Sequence, residues 1–211
     1  MKKIQINMDE IQVDKKETGI ILKYLSQTLD IEGDVVELGC YTGDTSIELA
    51  KAIKSTEKRL WLYDSFDGLP EKSDQDESAL GEDFKAGELG VSKSSLLRRF
   101  KSTGMRLPII KKDWFSDLTP NDLPGKISFA FLDGDYYQSI RDSFRLIEDK
   151  MADDSIILIH DYQNDFTPGV RQAVDEWLRK NPTRKLRIEQ TLAIIENQPK
   201  AKSSYKFRVT S

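Results

Sequence analysis

Short apolar runs rich in β-branched residues alternate along this chain with longer segments of helical periodicity. The apolar runs lie at 34–39, 59–64, 107–112, 127–133 and 155–161. The helical patterns lie at 14–29, 44–54, 92–103, 137–150 and 168–180. Strands that are each followed by a crossover helix pair in parallel, so this alternation predicts βαβ units around one parallel sheet.

Two further runs, LRIEQ at 186–190 and LAIIEN at 192–197, are joined too tightly for a crossover helix. We therefore expect them to pair antiparallel. The predicted fold is α/β, a Rossmann-like, doubly wound, mostly parallel seven-stranded sheet with an antiparallel C-terminal strand pair. With 211 residues, the chain is expected to form an N-terminal helical segment (1–33), one main domain (34–197) and a basic tail (198–211).

Composition excludes several classes of function. The formal charge of −4 and pI near 5.3 argue against a nucleic-acid partner, which normally meets a basic face. No apolar run is long enough for a membrane span, the N-terminus lacks a secretory pattern, and Cys40 is the only cysteine. We expect a cytoplasmic protein with a small-molecule partner, and a homo-oligomer remains open.

The segment 65–91 is the longest stretch without periodicity, and it is acidic and rich in glycine. Connections of this length in a compact domain usually carry a function or are disordered. We predict a lid whose residues 71–91 are mobile without ligand and become ordered over a bound one.

The sequence ELGCYTGDTS, residues 37–46, forms the first strand-to-helix turn, where α/β sheets bind their ligands. A dinucleotide fingerprint needs glycine at position 41, which is Tyr41 here, so S-adenosylmethionine fits better than NAD. Asp64, at the end of the second strand, is placed as an acceptor for ribose hydroxyls. Gly39 and Gly43 are predicted as cofactor-binding residues of this turn. The alternative is that both glycines only make a tight turn and that Asp64 only caps a loop.

Acidic residues follow two strands that we expect to be adjacent. Asp133 and Asp135 end one strand, and His160 and Asp161 end the next. Carboxylates suit Mg²⁺, and an added imidazole nitrogen shifts the preference toward Mn²⁺. The alternative is that these acids cap the following helices.

Several motifs resemble known methyltransferases. ELGCYTG resembles the first motif of class I S-adenosylmethionine-dependent methyltransferases, in a form close to that of catechol O-methyltransferase. A longer ordered set resembles the macrocin-type sugar O-methyltransferases: DSFDGLP (64–70), DWFSDL (113–118), LDGDYYQS (132–139), HDY (160–162) and VRQAVDEWL (170–178). The macrocin pattern has Asp-Asp-Tyr where this chain has His160-Asp161-Tyr162.

The resemblance implies roles for individual residues. Glu37, Gly39 and Tyr41 would border the methionine part of S-adenosylmethionine, and Thr45 would bind its carboxylate. Asp64 would take the ribose hydroxyls, with Ser65 and Phe66 flanking the adenosine and Asp113 and Trp114 lining the adenine. A divalent metal, Mg²⁺ or Mn²⁺, would be held by acids at Asp133 and Asp161.

The resemblance implies methyl transfer to a hydroxyl of a sugar or other small secondary metabolite. The lysine base of the catechol family is Tyr136 here. His160, the only histidine, is a candidate metal ligand, a candidate base, or a residue that only bonds a neighbour. A nicotinamide-dependent oxidoreductase and a non-catalytic relative of the fold are the alternatives.

Overall fold

The computed structural model describes residues 13–81 and 84–197. Residues 1–12 of the predicted N-terminal segment and the predicted basic tail, 198–211, lie outside the described residues. The helices are α1 (Lys15–Ser26), α2 (Asp44–Ala52), α3 (Lys93–Thr103), α4 (Tyr137–Ile147) and α5 (Pro168–Lys180). The strands are β1 (Asp34–Leu38), β2 (Leu60–Asp64), β3 (Ile109–Lys112), β4 (Ile127–Leu132), β5 (Met151–Ile159), β6 (Arg184–Glu189) and β7 (Leu192–Asn197).

All seven strands form one sheet in the order β3-β2-β1-β4-β5-β7-β6. The first five pair in parallel, and β7 runs antiparallel to both β5 and β6. Residues 192–195 of β7 are fully buried, whereas no residue of β6 is buried, which explains why β6 takes the edge. The predicted α/β, Rossmann-like, doubly wound architecture is confirmed.

Strand order reverses between β1 and β4, which are neighbours although two strands separate them in the chain. Leu38 pairs with Tyr63 on one side and with Leu132 on the other, and Leu132 in turn pairs with Ile159. The residues that follow these positions therefore emerge side by side at one edge. In open α/β sheets, this edge is where ligands bind.

Helices cover both faces of the sheet because successive strand residues point to opposite sides. Val35 contributes to the core under α1, α2 and α3, and its neighbour Val36 to the core under α4 and α5. The second core includes the stacked rings of Phe144 and Trp177, whose centroids are 4.4 Å apart. Both cores hold the strand ends in fixed positions relative to each other.

Strand β5 begins at Met151, four residues before the run predicted at 155, and α4 ends at Ile147, before a short 3-10 turn. Asp153 and Asp154, which lie between, are exposed. Their acidic side chains interrupt the apolar pattern by which the strand was predicted. The predicted start of β5 at residue 155 was wrong because residues 151–154 of the strand do not form a continuous apolar run.

The predicted lid contains an anchor that the sequence did not indicate. Within its 3-10 turn (Asp74–Asp76), Asp76 is only 1% exposed. Its Oδ2 accepts hydrogen bonds from the Ser73 backbone N–H (3.1 Å) and hydroxyl (2.6 Å), and its Oδ1 accepts one from the Tyr137 N–H (2.7 Å). A Cβ on Gly169 would overlap Asp76 Oδ1. The first part of the lid is therefore fixed to the start of α4.

None of the helices within the described ranges combines the length and the apolar character that crossing a membrane requires.

Candidate active site at the carboxyl ends of the strands

A cavity of about 690 Å³ opens at the carboxyl ends of β1, β2 and β4. Its wall includes the turn after β1, the start of the lid, the segment 114–116 and the turn after β4. Helix α1 also contributes, through Lys15 and Thr18. A cavity of this size suits a small-molecule ligand.

Both glycines of the first turn are required by the fold. Gly39 has φ of +89°, and a Cβ there would overlap the carbonyl oxygen of Asp133. Gly43 has φ of +83°, precedes α2 and would clash with Leu96 if it carried a Cβ. Gly39 lines the cavity, whereas Gly43 faces Leu96 and is not among the lining residues. The role of Gly43 visible here is in packing.

Asp64 organises the loops that follow two strands. Its Oδ2 accepts from the backbone N–H groups of Cys40 (2.9 Å) and Tyr41 (3.2 Å), and its Oδ1 accepts from that of Phe66 (2.7 Å). Tyr41 and Phe66 both have positive φ, 40° and 55°, which L-residues rarely adopt. The carboxylate therefore stabilises strained backbone while facing the cavity.

Glu37 and Thr45 also line the cavity, as does Tyr41. Glu37 is buried, and its Oε2 accepts a hydrogen bond of 2.5 Å from the Ser46 hydroxyl. Burial raises the pKa of Glu37 well above its usual range, the Ser46 hydrogen bond opposes this shift, and the charges of Asp133 and Asp64 add to it. A positively charged ligand nearby would favour the ionised form.

The predicted adenine side is brought together only in part. Ser65 and Trp114 line the cavity. Phe66 instead is buried in the core beneath α3, and Asp113 Oδ1 accepts from the backbone N–H of Trp114 (3.2 Å). Neither Phe66 nor Asp113 is among the lining residues. Phe115 and Ser116 line this side instead, and sequence reasoning did not single them out.

Asp133, His160 and Asp161 converge as expected. His160 Nδ1 lies 2.9 Å from Asp133 Oδ1 and 3.6 Å from Asp161 Oδ2. Asp133 lines the cavity, whereas His160 and Asp161 lie behind it. His160 is only 8% exposed. The histidine therefore contacts a residue of the cavity wall, Asp133, without lining the cavity itself.

The charges in this cluster shift one another's ionisation. Burial alone would lower the pKa of His160, but the carboxylates of Asp133 and Asp161, with hydrogen bonds to Asp133 and Glu17, raise it well above its usual range. Burial, together with the repulsion of neighbouring carboxylates, raises the pKa of Asp135 and of Asp161. The cluster therefore contains more acidic groups than its one imidazole can pair with, and they disfavour one another's ionisation.

Whether these residues fit a divalent cation depends on their chemistry and spacing. Across residues 13–81 and 84–197, no three His, Cys, Asp or Glu side chains stand in a metal-binding arrangement. The donors themselves, carboxylate oxygens with one imidazole, are those that Mg²⁺ and Mn²⁺ accept. The chemistry of this donor set therefore fits Mg²⁺ or Mn²⁺.

Glu17 of α1 is a member of this cluster that sequence reasoning missed. Its Oε2 lies 3.2 Å from His160 Nε2, and its Oε1 accepts from the Thr191 hydroxyl (2.5 Å) and backbone N–H (3.2 Å). Burial would raise the pKa of Glu17, but hydrogen bonds with His160 and Thr191 lower it to about 2. A signal existed, because Glu17 shares the buried face of α1 with Ile21 and Leu25.

The fold is the Rossmann-like fold of class I methyltransferases. Its features are a seven-stranded sheet whose last strand runs antiparallel and a cavity where the strand order reverses between β1 and β4. The solved structure of the O-methyltransferase NovP superposes with a TM-score of 0.73 at 23% identity, covering 87% of this chain and 80% of that one. The family model Macrocin-O-methyltransferase (TylF) matches residues 23–197, and the chain belongs to this family.

Two curated relatives are enzymes of Streptomyces. The chain is 27% identical over 168 residues to the 8-demethyl-8-(2,3-dimethoxy-alpha-L-rhamnosyl)-tetracenomycin-C 4'-O-methyltransferase of Streptomyces olivaceus, covering 74% of this chain and 63% of the relative. It is 26% identical over 167 residues to the demethyldecarbamoylnovobiocin O-methyltransferase of Streptomyces niveus, covering 72% of this chain and 60% of the relative. The chain thus spans about three fifths of the length of these relatives.

Proposed function

We propose that this chain is an S-adenosylmethionine-dependent O-methyltransferase, assisted by a divalent cation, that acts on a hydroxyl of a sugar or another small secondary metabolite. The observation that carries the proposal is the cavity with Asp64 on one side of its wall and Asp133 on the other. Membership of the macrocin family and the printed names of the relatives support the reaction and the acceptor class.

The charge of the cavity supports a cationic cosubstrate. Lys15 is the only basic residue on the wall as far as the described residues show. The wall has eight acids, three of which (Asp44, Glu48 and Asp142) form ion pairs with basic residues outside it; the other five are Glu37, Asp64, Glu71, Asp133 and Asp135. S-adenosylmethionine carries a sulfonium and an ammonium, so this wall attracts it. A dinucleotide carries a pyrophosphate, which the same wall repels.

We assign the cosubstrate contacts as the family resemblance implies. Glu37, Gly39 and Tyr41 would border the methionine part, and Thr45 would bind its carboxylate. Ser65 would flank the adenosine and Trp114 the adenine, whereas Phe66 and Asp113, which the resemblance also implies, do not line the cavity and receive no contact here. Asp64 would accept from the ribose hydroxyls, because each carboxylate oxygen can accept more than one hydrogen bond.

On the acceptor side, Asp133, His160 and Asp161 would hold the cation. A cation bound there lowers the pKa of the acceptor hydroxyl and orients it. Asp133 would position that hydroxyl, because it is the member of the trio that lines the cavity. Both ring nitrogens of His160 already face carboxylates, which supports a role as ligand more than a role as base.

Calorimetry with S-adenosylmethionine and with NAD tests the cosubstrate. We expect S-adenosylmethionine to bind and Asp64→Ala to weaken it by about 1–3 kcal/mol, because ribose donors lose their acceptor. Asp67→Ala is the matched control, since Asp67 is exposed, pairs with Lys112 and does not line the cavity. Binding of NAD without binding of S-adenosylmethionine would contradict the proposal.

Chelation tests the assistance by metal. Chelator-treated protein should lose methyl transfer to a polyol acceptor and regain it with Mg²⁺ or Mn²⁺, while cosubstrate affinity changes little. Full activity in chelator would leave the cation without a role. Tight cosubstrate binding without transfer to any hydroxylated acceptor would favour a non-catalytic relative instead.

A further inference from the structure

His160 is held from both sides by carboxylates that belong to different parts of the fold. Its Nδ1 faces Asp133 Oδ1 at 2.9 Å, and its Nε2 faces Glu17 Oε2 at 3.2 Å. Glu17 lies 143 residues earlier in the chain, on α1. None of the roles assigned above uses Glu17.

Glu17 is itself fixed in place. Thr191, in the turn between β6 and β7, donates to Oε1 from both its hydroxyl and its backbone N–H. Oε2 is then the oxygen directed at the imidazole. With Glu17 only 6% exposed, the carboxylate has little room to change this arrangement.

The contact between Glu17 and Nε2 determines that Nδ1 is the ring nitrogen facing Asp133 and Asp161. An ionised carboxylate only accepts hydrogen bonds, so Nε2 must carry the proton in that contact. Nδ1 is thereby turned toward Asp133 and Asp161. The 2.9 Å between His160 Nδ1 and Asp133 Oδ1 places a nitrogen donor and an oxygen donor side by side.

We infer that Glu17 is a positioning residue that presents Nδ1 of His160 as a nitrogen ligand for the divalent cation. This inference rests on the metal assistance proposed above. Coordination at Nδ1 releases its proton to solvent and leaves Nε2–H donating to Glu17. A carboxylate on the far nitrogen of a ligating histidine fixes the ring and makes it more basic. With a nitrogen ligand beside Asp133 and Asp161, the site should bind Mn²⁺ more tightly than Mg²⁺.

Nitrogen NMR of the full chain tests this directly, because His160 is the only histidine and gives one set of ring signals. The protein is labelled with ¹⁵N-histidine and titrated with Zn²⁺ as a diamagnetic probe. We expect Nδ1 to shift on metal binding and Nε2 to keep its proton. Metal binding that leaves both ring nitrogens unchanged, or that shifts Nε2 instead, would overturn the inference.

Glu17→Gln tests the positioning role with almost the same side-chain shape. If its amide oxygen keeps the two Thr191 donors, its NH₂ faces Nε2 and favours the wrong tautomer. We expect Mn²⁺ affinity, measured by calorimetry, to fall by about 10–100-fold. Glu189→Gln is the matched control, because Glu189 also ties α1 to β6, through Lys23 and Tyr24, and does not contact His160. Its Mn²⁺ affinity should equal that of the wild type.

Equal losses of Mn²⁺ affinity in Glu17→Gln and Glu189→Gln would reduce Glu17 to an anchor of α1 and refute its positioning role. Unchanged affinity in Glu17→Gln would refute it too. A wild-type chain that binds S-adenosylmethionine but neither Mn²⁺ nor Mg²⁺ would overturn the metal assistance, and this inference with it. The two failures are therefore distinguishable.

Discussion

Replacing Asp76 tests how firmly the lid is anchored. Asp76→Ala removes the acceptor for three donors, the backbone N–H and hydroxyl of Ser73 and the backbone N–H of Tyr137. Ser73 is half-buried and can bond water instead, but the Tyr137 N–H is buried and would be left without an acceptor. An unsatisfied buried donor costs about 1–3 kcal/mol. The lost negative charge at the start of α4 adds about 0.3–1 kcal/mol.

We therefore expect Asp76→Ala to lower the free energy of unfolding by about 1–4 kcal/mol, measured by urea denaturation. Asp76→Asn should cost about half as much, because its amide oxygen can still accept from Tyr137. Asp74→Ala, an exposed change in the same 3-10 turn, should stay within about 0.5 kcal/mol of the wild type. Equal effects of Asp76→Ala and Asp74→Ala would show that the buried hydrogen bonds do not anchor the lid.

Three further outcomes are expected. Residues 77–81 and 84–91 should exchange amide hydrogens more slowly with S-adenosylhomocysteine than without it, and equal protection would refute a mobile lid. Glu37→Gln should make the chain more stable than the wild type at pH 8 in thermal melts, because the raised pKa of Glu37 means that its ionisation opposes folding, while S-adenosylmethionine affinity falls tenfold or more. The pKa of Glu17 is lowered from 4.5 to about 2, so its ionised form contributes stability above pH 4.5 that is lost as pH falls toward 2. The difference in free energy of unfolding between the wild type and Glu17→Gln, at most about 3 kcal/mol in urea denaturation, should therefore narrow between pH 5 and pH 3. A difference that stays constant over this range would contradict the argument.

The strands and the shared edge of the site were predictable because both depend on local pattern. Each parallel strand is a buried apolar run, and the residues after such runs must emerge together in a parallel sheet. This reasoning placed Asp64, Asp133 and His160 at one edge. It failed at the start of β5, where Asp153 and Asp154 face solvent inside a paired strand.

Contacts between distant segments carry no such pattern. Taken by itself, Glu17 looks like an exposed acid, and only its position on the apolar face of α1 indicates burial. Its partners His160 and Thr191 lie more than 140 residues away in the chain. Asp76 lies in an acidic stretch, and only its contacts with the distant starts of α4 and α5 explain its burial. Both acids matter because of the tertiary structure, which single-sequence reasoning does not reach.

The close approach of Gly39 to the carbonyl of Asp133 has a consequence for how such an enzyme can diversify. Because a Cβ would not fit at Gly39, the turn after β1 and the turn that bears Asp133 meet there through backbone atoms. Most substitutions leave backbone atoms in place, so they would also leave the spacing of these two turns in place. Under the proposed function, substitutions on α1 or the lid would alter the shape of the cavity without changing this spacing.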